Sequence, residues 1–344
     1  MTTSRTDPSR QAPATDSGSR PEAPARETHR DGARRLVRKP IVRLVLMVYA
    51  VIVLLLLLGR FLNPSFGSAG FVWVVLSVAT ITAIVGSGQG IAVLTGGLDL
   101  SIPSVVALSG ILLTGVSLGR DDRLPQAALF IVLAAAGVGL VNGLGIVKLR
   151  ISPVIMTLAT NVILGGLILV LTAGTPKGTA PPAVRDFVGG GLWGIPSLVL
   201  FLLAFTAVAV LLMNGTVLGR YLYAVGTNAE AARLSGVPVQ AVIVAAYVIS
   251  SLAAAVAAVL LVGQGGSSYL GMGDPYLLLS LGAVVIGGAS ITGGRGLYLG
   301  TVGGAVLLTL ISIFLAATTL PDATRQIIFA ATIVVAVLAA RKYQ

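Results

Sequence analysis

Residues 219–238, with the sequence GRYLYAVGTNAEAARLSGVP, form a polar stretch between two apolar runs of the chain. Thr227 followed three residues later by Glu230 fits a helix-capping box. Gly236 suits a helix C-terminus, and Pro238 prevents the helix from continuing. The spacing therefore predicts a helix of about two turns that lies outside the membrane.

This short helix has the composition of a docking surface. Its small side chains allow another protein to approach the backbone closely, while a carboxylate and a guanidinium offer polar contacts. The residues that we expect to contact a partner are Asn228, Glu230, Ala231, Ala232, Arg233, Ser235 and Gly236. The stretch by itself leaves open the alternative of an ordinary capped connector between two membrane spans.

The composition outside this stretch is that of a membrane protein. Apolar residues make up 56% of the chain and charged residues 10%, against about 25% charged residues in soluble proteins. A membrane-spanning helix needs about 20 apolar residues. The apolar runs predict ten helices, at residues 42–59, 71–94, 103–119, 125–147, 153–173, 193–213, 239–263, 277–294, 297–317 and 326–340. We therefore predict an all-α membrane domain over residues 41–344, with about ten transmembrane helices, breaks at Gly-rich segments and a polar loop at 214–238.

Basic residues predict the orientation of this domain. Ten spans place both termini on one side of the membrane, and that side carries twelve Lys and Arg residues near span ends against six on the other. Because basic residues concentrate on the cytoplasmic side, both termini are predicted to be cytoplasmic. Residues 1–40 are rich in Ser, Pro and Arg and are predicted to be a disordered basic tail. Arg34–Lys39 before the first span also fits a twin-arginine export signal, a weaker alternative.

The sequence lacks the residues that catalysis requires. It has no cysteine, its one histidine is His29 in the tail, and no metal-ligand spacing or phosphate-binding loop occurs. We therefore expect no enzyme activity, metal or cofactor, and any ATP hydrolysis must come from a partner chain. No charged residue lies at the middle of a predicted span, which argues against an ion-coupled carrier. The net charge of +11 lies largely in the tail and at span ends, so nucleic acid is not an expected partner.

Polar residues in or near the spans are candidates for a substrate pathway, because each buried hydroxyl of a polyol must exchange water for a protein partner. The candidates are Gln89, Asp99, Ser101, Asn142, Asn161 and Gln264. Asn161 lies inside an apolar helix, where the alternative is a hydrogen bond between helices. Asp99 and Ser101 are equally suited to capping the third helix.

Glycines at four-residue spacing predict close helix packing, at Gly139 and Gly143 and again at Gly296, Gly300 and Gly304. This packing is expected either within one subunit or at a homodimer seam. The Gly-rich segments near Gly96 and Gly293 resemble each other, which is consistent with an internal repeat.

Four stretches, in order, resemble the sugar-type ABC importer permeases of the ribose, xylose and galactose branch. They are GGLDLS at 96–101 with VVALS at 105–109, NGLGIVKLRISPVIMTL at 142–158, the stretch at 219–238, and AVVIGGASITGGRG at 283–296. The chain departs from the family pattern at Pro103, Asn161 and Gly165.

The resemblance implies a permease dimer in the bacterial cell membrane, a binding protein outside the cell, and two cytoplasmic ATPases that grip the helix near Asn228–Gly236. The expected substrate is a monosaccharide or related polyol. An autoinducer furanose, a nucleoside or a branched-chain amino acid is the alternative, and an ion-coupled carrier or a membrane-bound enzyme is a more remote one.

Overall fold

The apolar runs form helices in the computed structural model, which describes residues 40–62, 64–318 and 320–340. The helices are α1 (Pro40–Leu62), α2 (Ala69–Leu94), α3 (Ile102–Ser117), α4 (Leu124–Lys148), α5 (Pro153–Thr172), α6 (Pro182–Gly189), α7 (Ser197–Gly215), α8 (Val217–Thr227), α9 (Ala229–Leu234), α10 (Val239–Gly265), α11 (Pro275–Ile286), α12 (Tyr298–Ala316) and α13 (Asp322–Ala340). A 3-10 turn (Asp121–Arg123) precedes α4, and a two-stranded hairpin, β1 (Gly191–Leu192) and β2 (Ile195–Pro196), precedes α7.

The predicted all-α membrane fold is confirmed, and each of the ten predicted segments overlaps a helix. Seven helices of the described residues are long and apolar enough to cross a membrane, and three shorter apolar helices accompany them. The predicted eighth segment extends too far: α11 ends at Ile286, because the backbone at Gly288 takes a positive φ of +90°. The predicted disordered tail, except Pro40, lies outside the described residues.

Helix α10 lies at the centre of the bundle, between α2, α3 and α4. Its buried face consists largely of alanine, so neighbouring helices approach it closely. A Cβ added at Gly139 of α4 would lie 2.5 Å from the Cα of Val248, and one at Gly143 would lie 2.7 Å from the Cα of Val244. These two glycines therefore serve packing within one subunit, which was one of the two predicted roles, rather than a homodimer seam.

The glycines of α12 also pack within the chain. A Cβ at Gly300 would overlap the carbonyl oxygen of Gly287, and a Cβ at Gly304 would overlap that of Ala283. Helices α11 and α12 are therefore in backbone contact along this face, which is a common way for membrane helices to associate.

Two non-helical segments interrupt the bundle: residues 95–101, here called the first break, and residues 287–297, here called the second break. The two breaks touch, because a Cβ added at Gly293 would lie 2.9 Å from the Gly96 nitrogen. The Gly294 amide also donates a hydrogen bond of 3.0 Å to the carbonyl oxygen of Leu94, at the end of α2. Non-helical backbone inside a membrane bundle is tolerated where protein covers it, and here each break covers the other.

Candidate functional site

The polar loop at 214–238 folds into two consecutive helices rather than one. Its first half, which the sequence analysis left unassigned, is α8, and its second half is α9. The cap of α9 was predicted one residue too early. Asn228, not Thr227, is the cap, because its Oδ1 accepts the Ala231 amide at 2.9 Å. Thr227 ends α8, where its hydroxyl donates to the Tyr223 carbonyl oxygen.

The C-terminus of α9 has the predicted glycine stop. Gly236 has a φ of +83°, its amide donates to the carbonyl oxygen of Arg233, and the Val237 amide donates to that of Ala232. These two bonds form a Schellman motif, which pairs the last carbonyl groups of a helix. The helix is therefore fixed at both ends although it has only six residues.

The division of α9 side chains into buried and exposed differs from the sequence prediction at one residue. Ala232, expected on the docking face, is 5% exposed and packs with Leu222 and Val225 of α8 and Val242 of α10. A helix of under two turns holds too few apolar residues to show which face is buried, which explains the error. The other predicted contact residues, Asn228, Glu230, Ala231, Arg233, Ser235 and Gly236, are all exposed.

Leu234 is the residue that the sequence analysis missed. Its side chain is 81% exposed at the end of α9. Beside it, Arg233 Nη2 and Glu230 Oε1 form an exposed ion pair of 2.6 Å. An exposed leucine bordered by a polar pair is typical of the centre of a protein–protein contact. The signal was present in the sequence, because Leu234 is the one large apolar residue of α9.

Helix α8 connects α9 to the end of α2 and to the second break. A Cβ added at Gly226 would overlap the carbonyl oxygen of Leu94 and lie 2.5 Å from the Gly294 nitrogen. The Tyr223 hydroxyl donates to the carbonyl oxygen of Gly296 at 2.9 Å. Burial raises the pKa of Tyr223 above its ordinary value of 10.0, so the phenol keeps its donor proton at neutral pH. We name these contacts, made by Leu94, Gly226, Gly294 and Gly296, the glycine junction.

The first break carries a chain of buried side-chain hydrogen bonds. Asp99 Oδ1 accepts from the Ser101 amide at 3.0 Å and from its hydroxyl at 2.5 Å, while Oδ2 accepts from Ser250 of α10 at 2.7 Å. The Asn142 amide of α4 donates to the Ser101 hydroxyl at 2.9 Å, and Thr160 of α5 donates to Asn142 Oδ1 at 2.6 Å. We name these five residues the carboxylate cluster. It ties the first break to three helices.

The carboxylate cluster lies inside the bundle rather than at its edge. Asp99, Ser101 and Asn142 have no exposed surface. Ser250 is the twelfth residue of α10, about 16 Å along that helix at about 1.5 Å per residue. The sequence analysis placed Asp99 correctly at a break, but the break itself dips into the protein. A buried polar group is tolerated where hydrogen bonds satisfy it, as the three bonds to Asp99 do here.

Asn161 joins two helices and caps one of them. The Asn161 side-chain Oδ1 accepts a hydrogen bond from the Ser104 amide at 3.1 Å. The Ser104 hydroxyl donates to the main-chain carbonyl oxygen of Asn161 at 2.7 Å. Ser104 is the third residue of α3, so Asn161 of α5 satisfies an amide of the first turn of α3. The alternative interpretation of Asn161, a hydrogen bond between helices, is thus confirmed. Asp99 binds the amide of Ser101, which precedes the first turn.

The two remaining pathway candidates take no part in the hydrogen bonds of the carboxylate cluster. Gln89 of α2 is fully buried, and neither its amide nitrogen nor its amide oxygen has a hydrogen-bond partner among the described residues. Gln264 is exposed near the end of α10. The structure therefore brings three of the six candidates together, places Asn161 next to them, and leaves Gln89 and Gln264 outside this hydrogen-bonded set.

The fold is that of a multi-pass helical membrane protein, and comparison with known proteins identifies the family. The family described as the permease component of branched-chain amino acid transport systems matches residues 71–337. The chain belongs to this family. It is an integral, multi-pass inner-membrane protein and the permease subunit of an ABC importer, a transport subunit rather than an enzyme.

Three relatives illustrate the similarity. The ribose import permease protein RbsC of Escherichia coli K12 is 31% identical over 299 residues, which cover 86% of this chain and 92% of the relative. RbsC of Bacillus subtilis 168 is 35% identical over 74% of this chain and 80% of its own length. The autoinducer 2 import system permease protein LsrD of Salmonella paratyphi B is 31% identical, covering 76% and 79%. No solved structure matches the chain significantly.

Proposed function

We propose that this chain imports a monosaccharide or related polyol, and that α9 is the helix through which a cytoplasmic ATPase drives it. The observation that carries the proposal is the geometry of α9: a helix fixed at both ends, with Leu234 exposed and Ala232 holding it to α8 and α10. A rigidly held exposed helix transmits force instead of absorbing it. The partners are two ATPase subunits, an extracytoplasmic sugar-binding protein and a second copy of the permease within the lipid bilayer.

The glycine junction is the proposed route of that force. Helix α8 ends one residue before the Asn228 cap of α9, and its Gly226 touches the backbone of Leu94, at the end of α2, and of Gly294, in the second break. A displacement of α9 therefore reaches the end of α2 and the second break without passing through a flexible side chain. This arrangement supports alternating access driven from the α9 side.

The relatives favour a sugar over the amino acid of the family description. Two of the relatives import ribose by name and the third imports autoinducer 2. A furanose such as an autoinducer, a nucleoside or a branched-chain amino acid remains the alternative substrate. Among the six pathway candidates, we propose Gln89 for a contact with a substrate hydroxyl. A buried amide without partners is unfavourable, and a hydroxyl bound in another conformation would pair it.

The test compares two substitutions of Leu234. Leu234→Asp places a charge in the proposed contact, whereas Leu234→Met keeps apolar surface of similar volume. We expect Leu234→Asp to abolish ATP-dependent uptake and reduce co-purification of the ATPase, and Leu234→Met to retain both. Because Leu234 is 81% exposed, neither change should alter the thermal unfolding midpoint of the purified permease. Normal uptake by Leu234→Asp would refute the role of α9.

The buried Asp99 makes an ion-coupled carrier the alternative that needs its own test. An ionisable group at membrane depth is often part of an ion pathway. In this chain the carboxylate is paired with three donors, which is the arrangement expected of a structural group. Uptake that persists in an uncoupler but stops when ATP is depleted would exclude the carrier.

A further inference from the structure

The hairpin before α7 contains an unusual turn. Its strands pair Leu192 with Ile195, so Trp193 and Gly194 form a two-residue loop. Both loop residues have positive φ, +52° at Trp193 and +79° at Gly194, as a type I′ turn requires. Asn, Asp and Gly are the residues that are favoured at the first position of such a turn. Tryptophan has a large side chain and no local hydrogen bond to offer there, so the backbone at Trp193 is strained.

The chain itself does not compensate for this strain. The Trp193 side chain is 90% exposed, so its ring gains little from packing inside the protein. A strained backbone with an almost fully exposed large side chain points to a contact outside the chain. The surroundings of the exposed ring therefore decide the role of Trp193.

The hairpin lies directly before a helix long enough to cross the membrane. Helix α7 begins at Ser197, directly after β2, and has 19 residues. At about 1.5 Å per residue this helix is about 28 Å long, close to the roughly 30 Å thickness of the hydrocarbon core. The hairpin therefore lies where the chain enters the bilayer. Since α7 crosses the membrane between the hairpin and α9, the hairpin belongs to the opposite leaflet.

The neighbours of Trp193 fit the lipid–water boundary. Leu192 is 52% exposed and Phe187 of α6 is 46% exposed. The Phe187 ring also packs edge to face with Phe201 of α7, with 6.1 Å between the ring centroids. The chain has no charged residue between Asp186 and Arg220. Apolar and aromatic side chains without charges suit the headgroup region, where tryptophan places its ring among acyl chains and its indole N–H near polar oxygens.

We propose that Trp193, together with Leu192 and Phe187, inserts into the lipid–water interface of the leaflet opposite α9. The lipid contact compensates the strained turn, and the anchored hairpin fixes the depth at which α7 starts. A soluble partner bound to the same ring is the competing explanation, and the test distinguishes the two. The inference does not depend on the substrate or on the role of α9.

The chain offers a direct fluorescence test because Trp73 and Trp193 are its two tryptophans. Trp73→Phe in the full-length protein leaves Trp193 as the reporter, and Trp193→Phe is the matched control that reports Trp73. We expect phosphatidylcholine brominated near the glycerol backbone to reduce Trp193 emission to about half, because tryptophan rings sit at headgroup level. Aqueous iodide should quench it weakly. Strong quenching by iodide with none by the brominated lipid would overturn the proposal and leave the ring in water, accessible to a soluble partner.

A second variant separates the turn from the ring. Trp193→Asn creates Asn-Gly, the favoured pair of a type I′ turn, and removes the aromatic side chain. If the lipid contact is real, the thermal midpoint of the permease in phosphatidylcholine vesicles falls by a few degrees despite the better turn. An unchanged or higher midpoint would show that the ring gains nothing from lipid, and would refute the anchor.

Discussion

The two breaks of the bundle are both rich in glycine, yet different interactions hold them in place. The first break is tied by side chains: Asp99 accepts three hydrogen bonds, and the carboxylate cluster extends from there to α4, α5 and α10. The second break is held largely by close backbone contacts, in which Gly287 lies against Gly300 and Gly294 against Thr227. Two hydrogen bonds accompany them, from the Gly294 amide to Leu94 and from the Tyr223 hydroxyl to Gly296. The first therefore depends on polar groups that must stay paired, and the second on the absence of a Cβ atom.

This difference has a mechanical consequence. Hydrogen-bonded side chains hold a segment in one arrangement, whereas a smooth glycine contact allows backbones to slide past each other with few bonds to break. We therefore propose that the second break is the part that moves when α9 is displaced, and that the first break is the fixed side. Four experiments, in order of expected effect, test this contrast and the α9 helix that acts on it.

Gly287→Ala should have the largest effect on stability. The new Cβ would overlap the backbone of Gly300, and φ at Gly287 is −67°, so the effect is steric and not conformational. We expect the free energy of unfolding in mixed micelles to fall by about 3 kcal/mol, the cost of overpacking a close contact. Gly166→Ala is the control, because no atom lies within 4 Å of a Cβ at that position. Equal effects of the two substitutions would contradict the close contact.

Asp99→Ala should have the next largest effect. It leaves the amide and hydroxyl of Ser101 and the hydroxyl of Ser250 without their acceptor. A buried unpaired donor costs about 1–3 kcal/mol, so we expect a loss of about 2 kcal/mol in the free energy of unfolding. Asp99→Asn keeps one acceptor oxygen and should lose less than half of that. A stable Asp99→Ala variant would mean that the carboxylate does not hold the first break.

A double-mutant cycle tests whether the cluster acts as a unit. Asn142→Ala and Thr160→Val remove the two ends of one hydrogen bond of 2.6 Å. We expect a coupling energy of about 1 kcal/mol between them, typical of residues in one network. Gly287→Ala combined with Asn142→Ala should be additive, because Asn142 belongs to the carboxylate cluster of the first break whereas Gly287 lies in the second break. Coupling in the second pair would mean that the breaks are not independent.

Asn228→Ala should have the smallest effect on the bundle. Loss of a helix cap costs about 1 kcal/mol, and here the cost is confined to α9. The amide of Ala231 should exchange with solvent several times faster, as measured by hydrogen exchange. Thr227→Ala is the matched control, since the Thr227 hydroxyl bonds only within α8. Faster exchange of the Ala231 amide in the Thr227→Ala control alone would show that Thr227, as the sequence predicted, caps α9.

The sequence predicted the helices well because hydrophobic length is a local property. The ten apolar segments, the stop at Gly236 and the close packing of Gly139 are set by neighbouring residues or by spacing. The short elements were missed because α6, with eight residues, and the hairpin, with two residues in each strand, are too brief to show a period. Helix α8 was missed because its polar side chains hide its helical period.

The site was less predictable because it depends on distant residues. Nothing near Asn161 indicates that it caps α3, since its partner Ser104 lies 57 residues away. The burial of Ala232 depends on α8 and α10, and the depth of Asp99 depends on how far the first break enters the bundle. Composition identified Asp99, Ser101 and Asn142 as polar groups worth naming, and only the fold shows that they bind one another.

The most direct test of the account is uptake by cells with and without this gene. A labelled panel of pentoses, hexoses, inositols and an autoinducer furanose is supplied under ATP depletion and, in parallel, with an uncoupler while ATP is maintained. The account predicts gene-dependent uptake of a sugar or polyol that stops without ATP and survives the uncoupler. Uptake that collapses with the proton gradient while ATP remains would contradict it, and would make α9 a simple connector.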